Sequence, residues 1–472
     1  MPSIFCQKKL SFFVLLYFLH GIAPYANAQE KVLTLKDAIH SALADYGIIK
    51  AKKNQLNFYR SSLSAEKAAQ IPDFNISAQQ DYGTVNGQTG PSYSYRGLSV
   101  SSSGPALLKQ NYNAAFGALY LSNINWDIFS FGKVRNQIRI AGRREDQAGA
   151  DLEQEQFEDE VKVSSDYLNL LATTQLEKAQ FSNLQRAIAI QQVVRSRVLA
   201  GLNPGVDSSL AGADVSSARI ALTNIRETEA EQRAELATIT GSLSRNYIID
   251  TAFIQKIPAV VDSTEILGVS SHPVLTYYEK SLEINDAQVR YLRSLQYPTL
   301  SVFSVFQGKG SGFKPTYGNA SLSAFSHSYS NGVNPTVSNY LIGVGLIWNI
   351  SSLVRTGRLI DAQRYEGAAL KNSYDQVQNQ LDNQLILSTS RIKNAWRNYR
   401  EAPVEVKAAT EAYRQKTVLY ANGLATIVDL STALYTLNRA ETDQQIAYNN
   451  IWQALLYRAA AKGDFQTFYN LL

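Results

Sequence analysis

A helical stretch without proline, from Lys133 to about Ala200, limits the possible folds more than any other part of this chain. At 1.5 Å of rise per residue, it predicts a rod roughly 100 Å long. A globular domain cannot bury such a rod, so the helix must pack against other long helices. Gly201–Gly205 interrupts it, and a second helix is predicted from about Val206 to Gly241.

Two alternating stretches precede the long helix. Between Ala114 and Trp126, apolar residues alternate with small or polar ones. The stretch Asp73–Tyr82 alternates in the same way and puts Phe74 and Ile76 on its apolar side. Because successive strand residues point to opposite faces, both stretches predict strands with one apolar and one polar face. A strand of this kind fits between lipid and a water-filled lumen.

The same order of elements returns in the second half of the chain. A helix is predicted from His272 to just before Pro298. It is followed by two predicted strands, a long helix broken at Asn422–Gly423, and a last helix from about Ile427 to Lys462. The two strands are Thr299–Gly308 and Tyr340–Trp348. The stretches 83–113 and 309–339, which separate the strands of each pair, are predicted to be long loops.

Constant spacings support an internal duplication. Pro72 and Pro298 are 226 residues apart, whereas 222 residues separate Trp126 from Trp348 and Gly201 from Gly423. The change of spacing falls between the paired strands, where loop length is free to vary. We therefore predict two structural repeats, at residues 29–250 and 251–472, each with one strand hairpin on one set of helices.

Four strands are too few to close a barrel, because natural barrels begin at about eight strands. An open four-stranded sheet would expose unpaired edges to lipid. The sequence therefore predicts that several copies of the chain share one barrel.

The beginning of the chain has the pattern of a secretory signal. Lys8 and Lys9 precede the apolar stretch Leu10–Leu19, and Ala26–Ala28 has the small residues of a cleavage site. We predict a signal peptide at residues 1–28. The single cysteine, Cys6, would be removed with it, so no disulfide or thiolate chemistry is expected in the mature chain.

No residue pattern predicts an enzyme, a metal site or a cofactor site. His40, His272 and His327 lie far apart and lack metal-ligand spacing. The glycine-rich Gly308–Gly312 follows a strand but opens no helix, so it is not a phosphate loop. A net charge of +5 over 472 residues gives no indication of nucleic-acid binding. An acidic cluster on the long helix is interpreted as a solvated or inter-helix face; its members are Glu153, Glu155, Glu158, Asp159 and Glu160.

The chain resembles the outer membrane efflux protein family, the TolC-like channels. The resemblance covers nearly all of the predicted mature chain and rests on short motifs in a fixed order. They are Leu33–Ile39, Asn125–Gly132, His272–Leu275, Tyr420–Asp429 and Ala433–Tyr435.

The resemblance implies a mainly α fold with a small β part. Three chains would each give four strands to a twelve-stranded transmembrane β-barrel, and long antiparallel coiled coils would continue as a periplasmic α-barrel. The implied function is a passive outer-membrane duct for efflux or type I secretion, extending into the periplasm. Its expected partners are two further copies, outer-membrane lipid, a periplasmic adaptor (a membrane fusion protein) and an inner-membrane pump of the RND or ABC type.

The resemblance also implies a gate at the two inter-helix turns. Asp429 would form an acidic constriction ring, while Tyr420 and Asp207 match the positions of a hydrogen-bonded latch. The family's latch arginine is replaced here by Ala425, and Thr432 stands where a second acid is often found.

Simpler roles remain open for these residues. Asp207 and Asp429 each follow a helix break, where a carboxylate can cap the next helix. Gly201 and Gly423 fit helix C-caps, and Tyr420 could serve packing alone. Trp126 and Trp348 fit either the membrane interface or a core.

Two other functions are weighed against the channel. A periplasmic coiled-coil adaptor would show one helical hairpin flanked by β-rich domains, not two equivalent hairpins on four alternating strands. A secreted enzyme on a helical scaffold would need a site that the sequence does not offer.

Overall fold

The computed structural model describes residues 32–87, 104–241, 247–251 and 271–472. The predicted signal peptide lies outside this part of the chain, as do most of the predicted loop at 83–113 and most of 246–268. The helices are α1 (Leu35–Asp45), α2 (Gly47–Ala68), α3 (Lys133–Leu199), α4 (Gly205–Ile239), α5 (Pro273–Ser294), α6 (Tyr329–Val333), α7 (Ser352–Ala421), α8 (Ile427–Lys462) and α9 (Phe465–Tyr469). The strands are β1 (Val32–Leu33), β2 (Asp73–Thr84), β3 (Ala114–Phe129), β4 (Ile248–Ile249), β5 (Thr299–Ser311) and β6 (Val337–Ile347).

Two compact units share the chain, and each takes pieces from both halves of the sequence. The helical unit comprises the described residues within 1–52, 152–273 and 377–472. The sheet unit comprises those within 53–151 and 274–376. The helices α2, α3 and α7 run through both ranges.

The long helices follow the predicted pattern closely. The helix α3 has 67 residues and α7 has 70, so each is roughly 100 Å long at 1.5 Å per residue. The helix α7 continues through Pro403, although proline removes one backbone donor inside a helix. Among the described helices, none is both long enough and apolar enough to cross a membrane.

The sequence predicts one helix from a cap at Thr34 to about Gln70, where Pro72 stops it. This prediction is wrong in one respect, because two helices lie there. Tyr46 adopts an extended conformation (φ −61°, ψ 129°) and ends α1. The predicted cap is present: the Thr34 side chain accepts from the Asp37 amide at 3.1 Å and donates to its carboxylate at 2.8 Å. The strand β1, just before this cap, pairs in parallel with β4, a contact that the sequence did not suggest.

The main sheet has the strand order β2-β3-β5-β6, with every pair antiparallel. Residues opposite each other across the ladder share a face, so the register identifies one face that is mostly apolar. This apolar sheet face includes Phe74, Ile76, Ile124, Trp126, Val302, Phe306, Tyr340, Ile342, Val344 and Leu346. The alternation predicted from the sequence is therefore present across all four strands.

The second predicted loop, 309–339, is partly ordered into secondary structure. Strand β5 extends to Ser311, β6 begins at Val337, and the short helix α6 lies between them. The glycines of Gly308–Gly312, which do not form a phosphate loop, allow close packing here. A side chain at Gly310 would lie 2.5 Å from the carbonyl oxygen of Gly332, so only glycine lets this backbone lie on the strand.

A buried apolar cluster holds the helical unit together. It draws on α1, α3, α4, α7, α8 and α9, and Tyr167 and Trp452 are among its fully buried members. The Tyr167 hydroxyl donates to the Leu33 carbonyl oxygen at 2.9 Å, which ties α3 to β1.

The acidic cluster on α3 is not uniformly solvated. Asp159 is only 4% exposed, and its Oδ2 forms no hydrogen bond with a described residue. Burial, with a smaller contribution from Glu155, raises the pKa of Asp159 to about 6. Burial likewise raises the pKa of Glu160 to about 7.

Replacing Asp159 with asparagine should stabilise the protein at pH 8. The folded chain keeps a proton on Asp159 up to about pH 6, whereas the unfolded chain releases it near pH 3.8. The contribution of Asp159 to stability therefore falls as the pH rises through this window and stays low above it. We expect Asp159→Asn to raise the free energy of unfolding by about 1–2 kcal/mol at pH 8, with little effect at pH 4. Thermal unfolding at both pH values measures this, and the exposed Glu153→Gln is the control on the same helix. A loss of stability at pH 8 would contradict the interpretation.

Candidate functional site

The two predicted gate turns lie against each other in the helical unit. Both begin at a glycine in the left-handed conformation, Gly201 (φ +72°) and Gly423 (φ +74°). The amide of Leu202 donates to Arg197 at 2.9 Å, and that of Leu424 donates to Leu419 at 2.8 Å. These are the hydrogen bonds of a glycine C-cap, so the predicted role of both glycines as helix ends matches the geometry.

The turns differ in how the next helix begins. Pro204 precedes α4 without a side-chain cap. By contrast, Thr426 and Asp429 form a reciprocal capping box at the start of α8. The Asp429 amide donates to Thr426 Oγ1 at 3.2 Å, and the Thr426 amide donates to Asp429 Oδ2 at 3.1 Å. The capping role that the sequence left open for Asp429 is therefore present.

Asp429 also has a charged partner. Lys416 Nζ lies 3.3 Å from Asp429 Oδ1, and both side chains are about 40% exposed. Hydrogen bonds from Thr426, with a smaller contribution from Lys416, lower the pKa of Asp429. The carboxylate is therefore held in its charged form.

Tyr420 and Asp207 come together through a residue that the sequence did not single out. Asn203 Nδ2 donates to Asp207 Oδ2 at 2.7 Å and to the Tyr420 hydroxyl at 3.3 Å. Tyr420 is only 3% exposed and packs in an apolar cluster with Ile427 and other residues. Burial and the nearby Asp207 raise the pKa of Tyr420, so the hydroxyl stays neutral.

An arginine completes this arrangement from the end of α3. Arg197 Nε donates to Asn203 Oδ1 at 2.8 Å, and Nη1 donates to the carbonyl oxygen of Ala421 at 2.7 Å. Its guanidinium also lies 5.5 Å from the centre of the Tyr420 ring. Arg197 thus joins the end of α3 to the end of α7. We call Arg197, Asn203, Asp207 and Tyr420 the turn network.

The predicted constriction acid lies apart from the predicted latch pair. Asp429 lies outside the turn network, because its carboxylate bonds to Thr426 and Lys416 instead. Ala425 packs against the apolar cluster, and an arginine reaches this region from the end of α3, where Arg197 donates to the Ala421 carbonyl oxygen. In the sequence, only their position beside Gly201 and Pro204, where the helix is interrupted, could have pointed to Arg197 and Asn203.

Further contacts fix the helices around the turns. Ser431 donates to Asp214 Oδ2 at 2.5 Å, which links α8 to α4. Arg186 forms a two-pronged ion pair with Glu441, linking α3 to α8, with Nη1 donating at 3.0 Å. Within the described residues no cluster of His, Cys, Asp or Glu has the geometry to hold a metal ion.

Part of the sequence, and the fold, are similar to those of known proteins. Residues 38–242 match the sequence profile of a family described as "Outer membrane efflux protein". In this part, which is somewhat less than half of its length, the chain is similar to outer-membrane efflux proteins.

Solved structures with the same fold include three outer-membrane proteins. The Vibrio cholerae outer membrane protein VceC has 16% identity and a TM-score of 0.69, covering 91% of this chain and 96% of its own. The Campylobacter jejuni CmeC outer membrane channel has 13% identity and a TM-score of 0.74, with coverage of 91% and 85%. The outer-membrane channel OprN has 16% identity and a TM-score of 0.72, with coverage of 91% and 89%. No curated protein sequence matches this chain.

Proposed function

We propose that three copies of this chain form the passive exit duct of a tripartite efflux or type I secretion system. Each copy gives its four strands to a twelve-stranded barrel in the outer membrane. A periplasmic adaptor and an inner-membrane pump of the RND or ABC type dock to the helical part and open it. In this proposal the two repeats, 29–250 and 251–472, contribute equivalent strand hairpins and helices.

The exposed apolar sheet face carries the proposal. Ile76 is 76% exposed, Tyr340 80% and Ile342 70%, which would be unfavourable in water. Within the described chain, β2 and β6 each pair along one edge only. Contact with lipid would cover the apolar face, and neighbouring copies would pair the free edges.

Matched contacts favour the proposed duplication. The Trp126 indole N–H donates to the Gln70 carbonyl oxygen at 3.1 Å, and that of Trp348 donates to Gln296 at 3.0 Å. The two donors, Trp126 and Trp348, are 222 residues apart, and the two acceptors, Gln70 and Gln296, are 226 residues apart. These are the spacings of the predicted duplication. Trp126 and Trp348 are 45% and 52% exposed, as expected of aromatic residues at a membrane interface.

The paired turns are the proposed gate. Asp429 is half-exposed beside them, and three copies would bring three carboxylates together at a constriction. An acidic ring favours cations. Because Lys416 lies against each Asp429 carboxylate, we expect a weaker preference than that of an unpaired ring. The turn network holds α3 to α7 within each copy and would have to open with the gate.

Single-channel recordings in planar bilayers test both the duct and the constriction. Wild type should form small, cation-selective channels. Asp429→Asn keeps an acceptor for the Thr426 amide but removes the charge, so it should reduce the cation preference roughly twofold or more. Lys416→Gln should increase that preference, since it leaves the carboxylate unpaired.

Thr426→Ala is the matched control, because it weakens the helix cap while keeping the Asp429 charge. If Thr426→Ala and Asp429→Asn have the same effect, Asp429 acts only as a cap and the constriction lies elsewhere. If a well-folded wild-type chain stays monomeric and forms no channels, the duct itself is wrong, and the adaptor function becomes the better account.

A further inference from the structure

The end of the sheet that meets the helices carries a girdle of exposed aromatic side chains. Their exposed fractions range from 44% to 56%. Phe131 stacks on Tyr297 with 5.5 Å between ring centres and meets the edge of Phe129 at 4.7 Å. The members of this aromatic girdle are Trp126, Phe129, Phe131, Tyr297 and Trp348.

Basic residues dominate the chain segments just beyond this girdle. Each strand of the main sheet meets its helix at one junction, and eight basic residues lie within the twelve residues that follow the strand ends on the helix side. One acidic residue, Glu66, lies in these segments, whereas Asp286 and Asp361 lie just beyond them and Asp73 and Asp127 lie in the strands. The basic residues are Lys67, Lys133, Arg135, Arg139, Arg290, Arg293, Arg355 and Arg358.

Three of these arginines form a line beside two clefts near this end of the sheet. Arg135 lines a cleft of about 400 Å³ together with Trp126 and Phe129 of the aromatic girdle. Arg139 follows Arg135 by one turn and so lies on the same side of α3. Arg290 shares a second cleft with Arg139. The contact between α3 and α5 here is fixed by Asn136, whose Nδ2 donates to the carbonyl oxygen of Arg290 at 3.2 Å.

None of Arg135, Arg139 and Arg290 forms a salt bridge with a described residue. The carboxylate of Asp286 lines the second cleft with Arg139 and Arg290, so the positive charge there is partly offset. Arg139 donates to the neutral Asn136 side chain at 3.1 Å. The nearby Glu283 is engaged by Arg143 at 2.8 Å and by Lys280 at 2.9 Å.

Carboxylates in the first cleft do not change this balance. Asp73 and Asp127 line it with Arg135, but the sheet register puts both on the polar face, opposite to Trp126. Asp127 already accepts from the Ser301 hydroxyl at 2.6 Å.

We propose that the arginine line Arg135–Arg139–Arg290 binds the phosphate groups of anionic phospholipids in the periplasmic leaflet of the outer membrane. This rests on the proposed function, in which the apolar sheet face lies in lipid. The aromatic girdle then lies at the level of the headgroups. Arg139 lies six residues after Lys133, the first residue of α3, which is roughly 9 Å along the helix and within reach of headgroup charges. Guanidinium groups match the oxygen geometry of phosphate, and basic residues next to a membrane segment attract anionic lipid.

Lipid binding by the purified full-length protein tests this proposal. In uncharged detergent, dioctanoyl phosphatidylglycerol and dioctanoyl phosphatidylcholine are titrated, and bound lipid is counted by native mass spectrometry. We expect phosphatidylglycerol to bind at least fivefold more tightly than phosphatidylcholine. The triple variant Arg135→Gln, Arg139→Gln, Arg290→Gln should lose most of this difference.

A charge-matched control separates the arginine line from net charge. It carries glutamine at Arg195, Arg219 and Arg397, three exposed arginines of the helical unit, and should bind both lipids as wild type does. Equal loss in the control, or unchanged phosphatidylglycerol binding in the triple variant, would overturn the proposal. Equal binding of both lipids by wild type would also overturn it, in favour of an acidic partner other than lipid.

Salt dependence provides a measurement that needs no variant. Raising the salt concentration should weaken the binding of phosphatidylglycerol to wild type but not that of phosphatidylcholine. Phosphatidylglycerol binding that is insensitive to salt would contradict a role for the arginine charges. Channel recordings in parallel test the duct separately, since channels without lipid preference would reject only this inference.

Discussion

Replacing Arg197 with alanine should raise the open probability of the proposed channel roughly tenfold. The change removes hydrogen bonds to Asn203 and to the Ala421 carbonyl oxygen, together with the contact between the guanidinium and Tyr420. Hydrogen bonds to charged groups contribute about 1.5–3 kcal/mol each when shielded, and less at a half-buried site such as this one. A total loss of about 1.4 kcal/mol, or roughly 0.5 kcal/mol in each of three copies, would shift a closed-to-open equilibrium tenfold. Single-channel recording at neutral pH measures the change directly.

Two variants make this result specific to Arg197. Arg195→Ala removes an exposed arginine two residues away on α3 and should behave as wild type. Arg197→Lys keeps the charge but not the planar fork that reaches both Asn203 and Ala421, so it should restore the closed state only in part. If Arg197→Ala closes as wild type does, the turn network is a packing feature and the gate depends on other contacts.

Local signals in the sequence were sufficient for most helices and strands. Lys133 to about Ala200 was predicted as one helix, and α3 ends at Leu199. The last helix was predicted from about Ile427 to Lys462, and α8 has these limits. Such predictions succeed because glycine, proline and residue periodicity act within a few residues of the backbone that they determine.

The turn network could not be predicted in the same way. Arg197 and Ala421 are 224 residues apart, and Asn203 and Tyr420 are 217 apart. No local pattern specifies a partner at that distance, and an arginine or asparagine near a helix end has many possible roles. The family resemblance directed attention to Ala425, whereas the guanidinium reaches the site from the other turn.

Other departures also have local physical reasons. Tyr46 ends α1 in an extended conformation, and the Gly47 that follows begins α2 instead of adopting the left-handed conformation of a C-cap glycine. The pairing of β1 with β4 involves two residues on each side, too few to leave a periodic pattern. The glycines of Gly308–Gly312 are explained only by Gly332 and its neighbours, which pack closely on the strand. These neighbours belong to the stretch 309–339, which the sequence predicts to be an irregular loop.

The largest effect on stability is expected for Trp452→Ala. Trp452 is fully buried in the core of the helical unit and meets Phe468 edge-on, with 6.2 Å between ring centres. Truncating a buried tryptophan costs about 3–5 kcal/mol, because the surrounding side chains fill only part of the space. For a unit of this size the midpoint of thermal unfolding should fall by roughly 10 °C.

Trp348→Ala is the matched control, since it removes the same side chain from an exposed site. Trp348 is 52% exposed and donates one hydrogen bond to Gln296, so its loss should cost about 1 kcal/mol or less in detergent. Circular dichroism during heating, with both variants in the same detergent, measures the difference. Because Trp452 packs α8 and α9 against α3, a small effect at Trp452 would mean that this core contributes little to the helical unit. An equal effect at Trp348 would mean that its ring is buried when the protein is assembled, and that the sheet contributes as much to stability as the helices.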